Sequence, residues 1–365
     1  MNVYYLINSK KKIGTVSNNC IFATFMDSIT QIVLGAACGE AVLGKKIGNR
    51  ALLFGAIGGT IPDLDVFVGK LLFNNEIDAM AFHRGFMHSF LFAVLAAIGF
   101  GILVFWIYNR GKRYKMTTRN DWIWLFFASI FTHPILDSFT AYGTQLFAPF
   151  SDYRVAFNNI AVADPLYTLP FLVALIIMMC FKRTSNKRRL FLKIGLGISS
   201  FYMLFTLVTK FHVHTVYKQA LELQQIKYLR FQTQPTILNA VLWYGIAETT
   251  DAYYVGFYSI LDTKPAISKW HKLPKNHELI DGMPKDLKTL AWFSSGYYNL
   301  NETDTPDTFL FKDLRYPLMN ENDPNSSVFK FIITKKDDRW EAEPFYTSDI
   351  NKADLDAFWT RLKGI

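Results

Sequence analysis

Hydrophobic and polar positions divide this chain into two unlike stretches. Up to about residue 209 the apolar residues run in long blocks separated by short polar loops. The clearest block is Phe86 to Tyr108 (FMHSFLFAVLAAIGFGILVFWIY), long enough as a helix to cross the roughly 30 Å of a bilayer core. Further blocks run from Trp122 to Tyr142, Leu166 to Phe181 and Leu190 to Val208. Two weaker ones, Ile29 to Leu43 and Ala51 to Val68, are rich in Gly and Ala, which suits close helix–helix contact. They read as spans or as buried, re-entrant helices.

From Lys210 onward the pattern changes to alternation. AYYVGFYSIL (252–261), LAWFSSGYYNL (290–300) and SVFKFIITKK (327–336) predict strands joined by Asp, Asn, Pro and Gly turns. DLDAFWTRL (354–362) predicts a closing helix. The fold class expected is therefore an α-helical polytopic membrane domain followed by a β-rich (α+β) soluble domain. The boundaries are 1–25 for an N-terminal tail, 26–209 for the membrane domain and 210–365 for the soluble one. The tail has a lysine run but no apolar core or small-residue cleavage site of a signal peptide, so it reads as a misassigned start or a dispensable tail, and a strongly patterned segment opens at Met26.

Composition sharpens this picture. The chain is 51% hydrophobic and 19% charged, with 33 Phe and 8 Trp, which is too apolar for an ordinary soluble protein. A net charge of +9 suggests nucleic acid at first sight. Much of the excess, however, sits in RGKRYKMTTR (Arg110 to Arg119) and KRTSNKRR (Lys182 to Arg189), both flanking apolar blocks. By the positive-inside rule these loops are cytoplasmic, KKIGNR (Lys45 to Arg50) falls on the same side, and no nucleic-acid partner is implied. The lysines at 10 to 12 disagree with that orientation. The same count puts the C-terminal domain outside a cytoplasmic membrane. Cys20, Cys38 and Cys180 have neither a disulfide framework nor metal-ligand spacing.

Orientation gives the polar residues meaning, because ionisable groups in apolar segments are costly and usually functional. The second segment ends outward in Pro62-Asp63-Leu64-Asp65. The third begins outside with His83-Arg84-Gly85-Phe86-Met87-His88. The fourth carries His133-Pro134-Ile135-Leu136-Asp137 in its outer half. His133 and Asp137, at i and i+4, point from one helical face. His83 and His88 converge only if the chain bends, which Gly85 would permit. Imidazoles with carboxylates favour Zn²⁺ or Mn²⁺ over a thiolate-type metal. The expected ligands are His83, His88, His133 and Asp137, with Asp63 or Asp65 as further ligand or base and Arg84 steadying an anion. An open position beside such a set would let the ion acidify a water for hydrolysis. Asp152, Asp164, His212 and His214 read as loop and interface residues. No Gly-x-Ser-x-Gly elbow, Cys/His pair or phosphate-binding glycine loop is present.

MDSITQIVLGAACGEAVLGKKIGNRALLFGAIGGTIPDLDV, HRGFMHS and THPILDSFTAYGTQLFAPFSDYRVAFNNIAVADPLYTLP together resemble the predicted membrane-bound metal-dependent hydrolases of bacteria (YdjM/YbcI type). PTILNAVLWYGIAE and AYYVGFYSILD resemble the longer members, which carry a C-terminal extension. The resemblance implies a multi-span helical region and carries His83, His88, His133, Asp137, Asp63 and Asp65 over as motif residues. Met87 stands where that motif would have Ser. The function expected is hydrolysis of a lipid or lipid-linked ester or phosphoester at the outer face of the cytoplasmic membrane, with the bilayer as partner. Two other readings remain open: a transport or envelope-stress protein with a structural metal or proton relay, and a membrane anchor for a binding domain.

Overall fold

A computed structural model describes residues 18–365 except 319, 320, 322, 324, 325 and 346–351, with side chains from residue 28 onward except that of residue 352. Most of the expected N-terminal tail lies outside the described residues. Helices α1 (Asn18–Ile47) and α2 (Asn49–Thr60) turn back on each other at Gly48, whose φ of 61° is a left-handed conformation glycine adopts without strain. Their backbones touch. A Cβ on Gly35 would lie 2.4 Å from the Gly55 carbonyl oxygen, so any side chain there would separate the pair.

Pro62 then opens a 3-10 turn (Pro62–Leu64) before α3 (Asp65–Leu72), and the two helical segments meet at 44°. The bend places Asp63 and Asp65 at a break in a helix instead of along its side. A short α4 (Glu76–Phe82) follows, capped by Asn75, then a second 3-10 turn (Phe86–His88). α5 (Phe90–Tyr108) starts on Ser89, whose hydroxyl accepts the Phe92 N–H. α6 (Arg119–Ser138) starts on a Thr118/Asp121 capping box. α7 (Pro165–Met179) and α8 (Asn186–Leu223) complete the helical region.

Among the described residues two helices, α5 and α8, are long and apolar enough to cross a membrane, or three if the bent α2–α3 pair counts as one span. α6 stops at Ser138, short of the expected Tyr142. α8 runs on beyond Val208, and its last turns bury Val213, Val216 and Tyr217 against Trp243 and Tyr258. The three basic loops gather at one end of the bundle. There Lys46 Nζ lies 2.6 Å from Asp121 Oδ2, and Arg183 donates to the Lys46 carbonyl.

Two antiparallel four-stranded meanders follow: β1 (Arg230–Pro235), β2 (Leu242–Glu248), β3 (Ala252–Ser259) and β4 (Trp270–Pro274), then β5 (Tyr298–Glu302), β6 (Thr308–Asp313), β7 (Lys330–Lys336) and β8 (Arg339–Pro344). The run 290–300, expected as one strand, is divided: its first residues end α9 (Lys285–Phe293) and its last begin β5. Leu287, Leu290 and Phe293 recur at the helical spacing and bury one face of α9. α10 (Lys352–Leu362) is helical as expected.

The two regions are joined at the end opposite the basic loops. Ile77 of α4 is fully buried in the core of the second sheet, beside Leu287, Leu290 and Tyr298. Asn75 Nδ2 donates to the Trp340 carbonyl at 2.8 Å, and Arg339 links Asp78 and Asp286. Arg315 is held by Asp313 and donates to the carbonyls of Ala141 and Tyr142 just past α6. The short α4 is thus a plug from the helical region into the β-region.

Candidate metal centre

Asp63 on the first 3-10 turn, His88 on the second and His133 on α6 bring their ligand atoms together. Asp63 Oδ1, His88 Nε2 and His133 Nε2 form a triangle with sides of 3.2, 3.3 and 3.4 Å. For bonds of about 2.0–2.1 Å to a tetrahedral ion, ligand atoms sit about 3.3–3.4 Å apart. The triangle therefore matches one face of such a polyhedron. These three residues could hold a metal ion.

His133 Nδ1 lies 2.6 Å from the Gly59 carbonyl oxygen, which can only accept, so Nδ1 carries a proton. His88 Nδ1 lies 3.1 Å from Asp65 Oδ2 without the alignment of a hydrogen bond. The two Nε2 atoms face each other at 3.2 Å beside the Asp63 and Asp137 carboxylates. Such a buried group needs a cation among its acceptors, either a proton on an imidazole or a metal ion. Two imidazoles with carboxylates are a donor set that suits a divalent metal.

α2 reaches His133 because Gly58 faces α6 without a side chain: a Cβ there would lie 2.8 Å from Ser129 Cβ. Glycine spacing, read in the sequence only as close packing, also places the Gly59 carbonyl.

Asp137, one turn beyond His133, lies with Oδ2 at 3.4 Å from each imidazole Nε2 and 3.2 Å from Arg84 Nε. Its Oδ1 accepts from Gln31 Nε2 at 2.8 Å. Oδ2 is buried yet accepts no well-aligned hydrogen bond. Asp65 is fully buried and accepts from His83 Nδ1 at 2.8 Å and from the Arg84 backbone N–H at 2.9 Å, as well as facing His88. Its carboxylate meets the Asp63/His88/His133 triangle through His88. His83 stands outside the triangle with its ring edge against His88, and burial pushes its imidazole below the ordinary value.

The bend between His83 and His88 falls on Arg84, whose φ is 57°, a strained conformation for a long side chain. Its N–H on Asp65 and its carbonyl, which accepts from Gln145 N–H, hold it there. Gly85 is needed for a different reason: a Cβ would meet the Phe82 carbonyl at 2.7 Å. The Arg84 guanidinium donates to Thr140 Oγ1 and lies over the Tyr142 ring. Sequence reasoning did not single out Gln31 or Thr140. Gln31 was visible as a polar residue within a run of small apolar ones, the signal that found the other buried groups. Asp164 caps α7 and accepts from Tyr202, His212 pairs with Tyr258 OH, and His214 stacks on Phe231.

A family model described as YdjM inner membrane protein matches residues 26–213. The chain is 29% identical over 159 residues to the uncharacterized protein YfhP of Bacillus subtilis (strain 168), covering 42% of this chain and 46% of that protein. The chain thus spans less than half the length of that curated relative. No solved structure gives a significant match.

Proposed function

The chain belongs to the YdjM inner membrane protein family, and from that premise we propose that it is a membrane-bound, metal-dependent hydrolase. Asp63, His88 and His133 hold one divalent ion, zinc by preference with manganese as the alternative. The observation that carries this reading is the near-equilateral triangle of two imidazole nitrogens and one carboxylate oxygen. Two His and one carboxylate leave positions open, the arrangement of catalytic zinc sites, whereas structural sites are closed by four protein ligands. A bound divalent ion supplies Lewis acidity and a water acidified towards neutral pH.

The chain's own residues have separate tasks. Asp65 stands behind His88 and orients it, as a carboxylate behind a ligating imidazole does. Asp137, held by Gln31, stands beside both imidazoles as a fourth ligand or as a base towards water entering there. Arg84 places a fixed positive charge at the same edge, where an anionic group would be steadied. The side chain of Asp63 is 33% exposed, so this edge is the route by which substrate approaches. Family and apolar helices support a bilayer-bound protein, and loop charge favours a multi-pass chain with the basic loops cytoplasmic and the β-region outside. A centre at the outer end of the bundle favours a lipid or lipid-linked ester or phosphoester. A non-catalytic ion is favoured instead if Asp137 closes the shell.

The test is elemental analysis of detergent-purified wild type beside His133→Ala and Asp63→Asn, followed by phosphoester and ester hydrolysis assays. Zinc or manganese near one per chain, lost in both variants together with hydrolysis, supports the proposal. A wild type that holds no metal after incubation with either ion refutes it. Metal without an exchangeable water or any hydrolysis assigns the centre a structural role.

A further inference from the structure

α5 sets a depth scale for the helical region. Its 19 residues span about 28 Å at 1.5 Å per residue, against roughly 30 Å of hydrocarbon in a bilayer. A crossing therefore uses the whole helix, with Asn109 and Arg110 past one boundary and Phe90 at the other. His88, two residues before Phe90, places the metal centre at that second boundary, away from the basic loops.

Two elements attached at this level carry apolar side chains outward. The first is the loop after α6. Its Leu146 carbonyl accepts the Phe90 backbone N–H at 3.0 Å, and the Phe147 and Phe90 rings meet edge to face. Phe147, Phe150 and Tyr153 are exposed, Phe150 to 82%. The backbone N–H groups of Ala148, Phe150 and Ser151 are bonded within the turn, as entry into a poorly hydrated interface requires. Arg154 is turned inward onto the Gly143 carbonyl, which leaves Asp152 as the exposed charge of residues 146–155. The second element is α3, which follows the turn holding Asp63. Leu64 at its cap, Phe67 and Leu71 share one face and are exposed, Leu71 to 86%. Asp65 and Gly69 form the opposite, buried face. A surface helix in water turns its apolar stripe inward, and this one is inverted. Lys70, exposed at the edge of that stripe, is long enough to hold its ammonium among lipid headgroups.

We infer that α3 and the loop 146–157 are seated in the leaflet away from the basic loops, so that the metal centre opens sideways into lipid at headgroup depth. Large exposed apolar patches mark a membrane or protein contact. Membership of an inner membrane protein family, and continuity with the exposed face of α5 through Phe90, identify the occupant as lipid and not a protein partner or second copy. A substrate then reaches Asp63 without leaving the bilayer. Its ester or phosphoester stands at the ion while its tail stays among the lipid chains. That entry route deepens the hydrolase reading and rests on it, whereas the seating of the two elements does not.

The experiment measures depth by spin labelling of the full-length protein in phosphatidylethanolamine/phosphatidylglycerol vesicles. Single cysteines, Phe150→Cys and Leu71→Cys, are placed in a background with Cys20, Cys38 and Cys180 replaced by Ser. Leu95→Cys on the exposed face of α5 gives the bilayer reference, and Asp304→Cys in the turn between β5 and β6 gives the aqueous one. Both test labels should collide with oxygen more than with a water-soluble nickel chelate, at a ratio several-fold above that of Asp304→Cys. Tyr153→Cys and Phe67→Cys repeat the measurement on the same two elements if a first variant fails to fold. A nickel-dominated ratio at either element overturns the inference. Low collision with both reagents overturns it in favour of a protein partner or second copy. The readout needs neither metal nor turnover, which separates the two claims. Lipid-seated labels on a protein that hydrolyses nothing leave the seating standing while the hydrolase reading falls. Water-exposed labels on an active hydrolase do the reverse.

Discussion

Two buried polar clusters occupy opposite ends of the same helical bundle. At the basic end Arg188 and Glu40 form a complete unit. Nε and Nη2 of Arg188 donate to the two Glu40 oxygens at 2.7 and 2.6 Å, and Nη1 donates to Asn49 Oδ1 and the Phe181 carbonyl. At the other end Asp63, His88, His133 and Asp137 bring acceptor atoms against one another, and Asp137 Oδ2 lacks a well-aligned donor. Burial is similar for most of these groups, so burial does not separate the two. Polar accounting does. A cluster whose donors and acceptors balance holds helices together, whereas one rich in acceptors needs a cation among them, a proton on an imidazole or a bound ion.

The comparison breaks most directly on metal content. Replacing His88 or His133 by Ala should lower bound metal from about one ion per chain to none, since two ligands rarely retain a divalent ion against a chelator. Arg188→Ala should leave metal in the folded fraction unchanged. Elemental analysis of the four proteins side by side decides the matter. Metal lost equally from Arg188→Ala would mean that the ends are not independent.

Stability should show the reverse order. Arg188→Ala leaves Glu40 buried and unpaired, and breaking such a pair costs about 3–5 kcal/mol. Thermal or denaturant unfolding of metal-depleted protein reads this, because depletion removes any contribution of the ion to the folded state. His133→Ala in the same metal-free background leaves the Gly59 carbonyl without its Nδ1–H donor and should cost about 1–3 kcal/mol, less than Arg188→Ala. A loss as large as that of Arg188→Ala would show that the cluster balances itself without a bound ion.

Much of this contrast was legible in the sequence. Hydropathy and loop charge located PDLD, HRGFMHS and THPILD at one end, and the i, i+4 spacing placed His133 and Asp137 on one face. The division of labour was not. Asp63 lies on a 3-10 turn and Asp65 opens the helix after it, and the two-residue offset sends Asp63 towards the imidazoles and Asp65 behind them. His83 carries the same side chain as His88, but the Arg84 backbone turn sets it outside the triangle. Strands β3 and β7 were visible through alternation, while LAWFSSGYYNL hid a helix end because its aromatics serve α9 first and β5 afterwards. Docking of Ile77 into the second sheet left no pattern at all, since α4 is too short to show a period.

Asp65→Asn sharpens the comparison with an intermediate effect. It keeps the shape and weakens the acceptor behind His88, so metal affinity should fall about 10–100-fold without abolishing binding. Competition with a chromophoric chelator measures this, and an unchanged affinity would remove Asp65 from any role in orienting His88.

The smallest effect belongs to the surface of the basic end. Lys46 and Asp121 are ion-paired at 2.6 Å, but their side chains are 46% and 20% exposed, so solvent and salt screen them. Lys46→Ala should cost less than about 1 kcal/mol, and less still at high ionic strength. Asp121→Ala should cost about 0.5–2 kcal/mol, since it also removes half of the capping box at the start of α6. That second loss should persist in high salt, because the cap is a local hydrogen bond and not a distant charge pair. Comparing the two variants at low and high salt separates pair from cap. If Lys46→Ala proved as costly as Arg188→Ala, exposure would not be the variable distinguishing a structural ion pair from a decorative one at this end of the bundle.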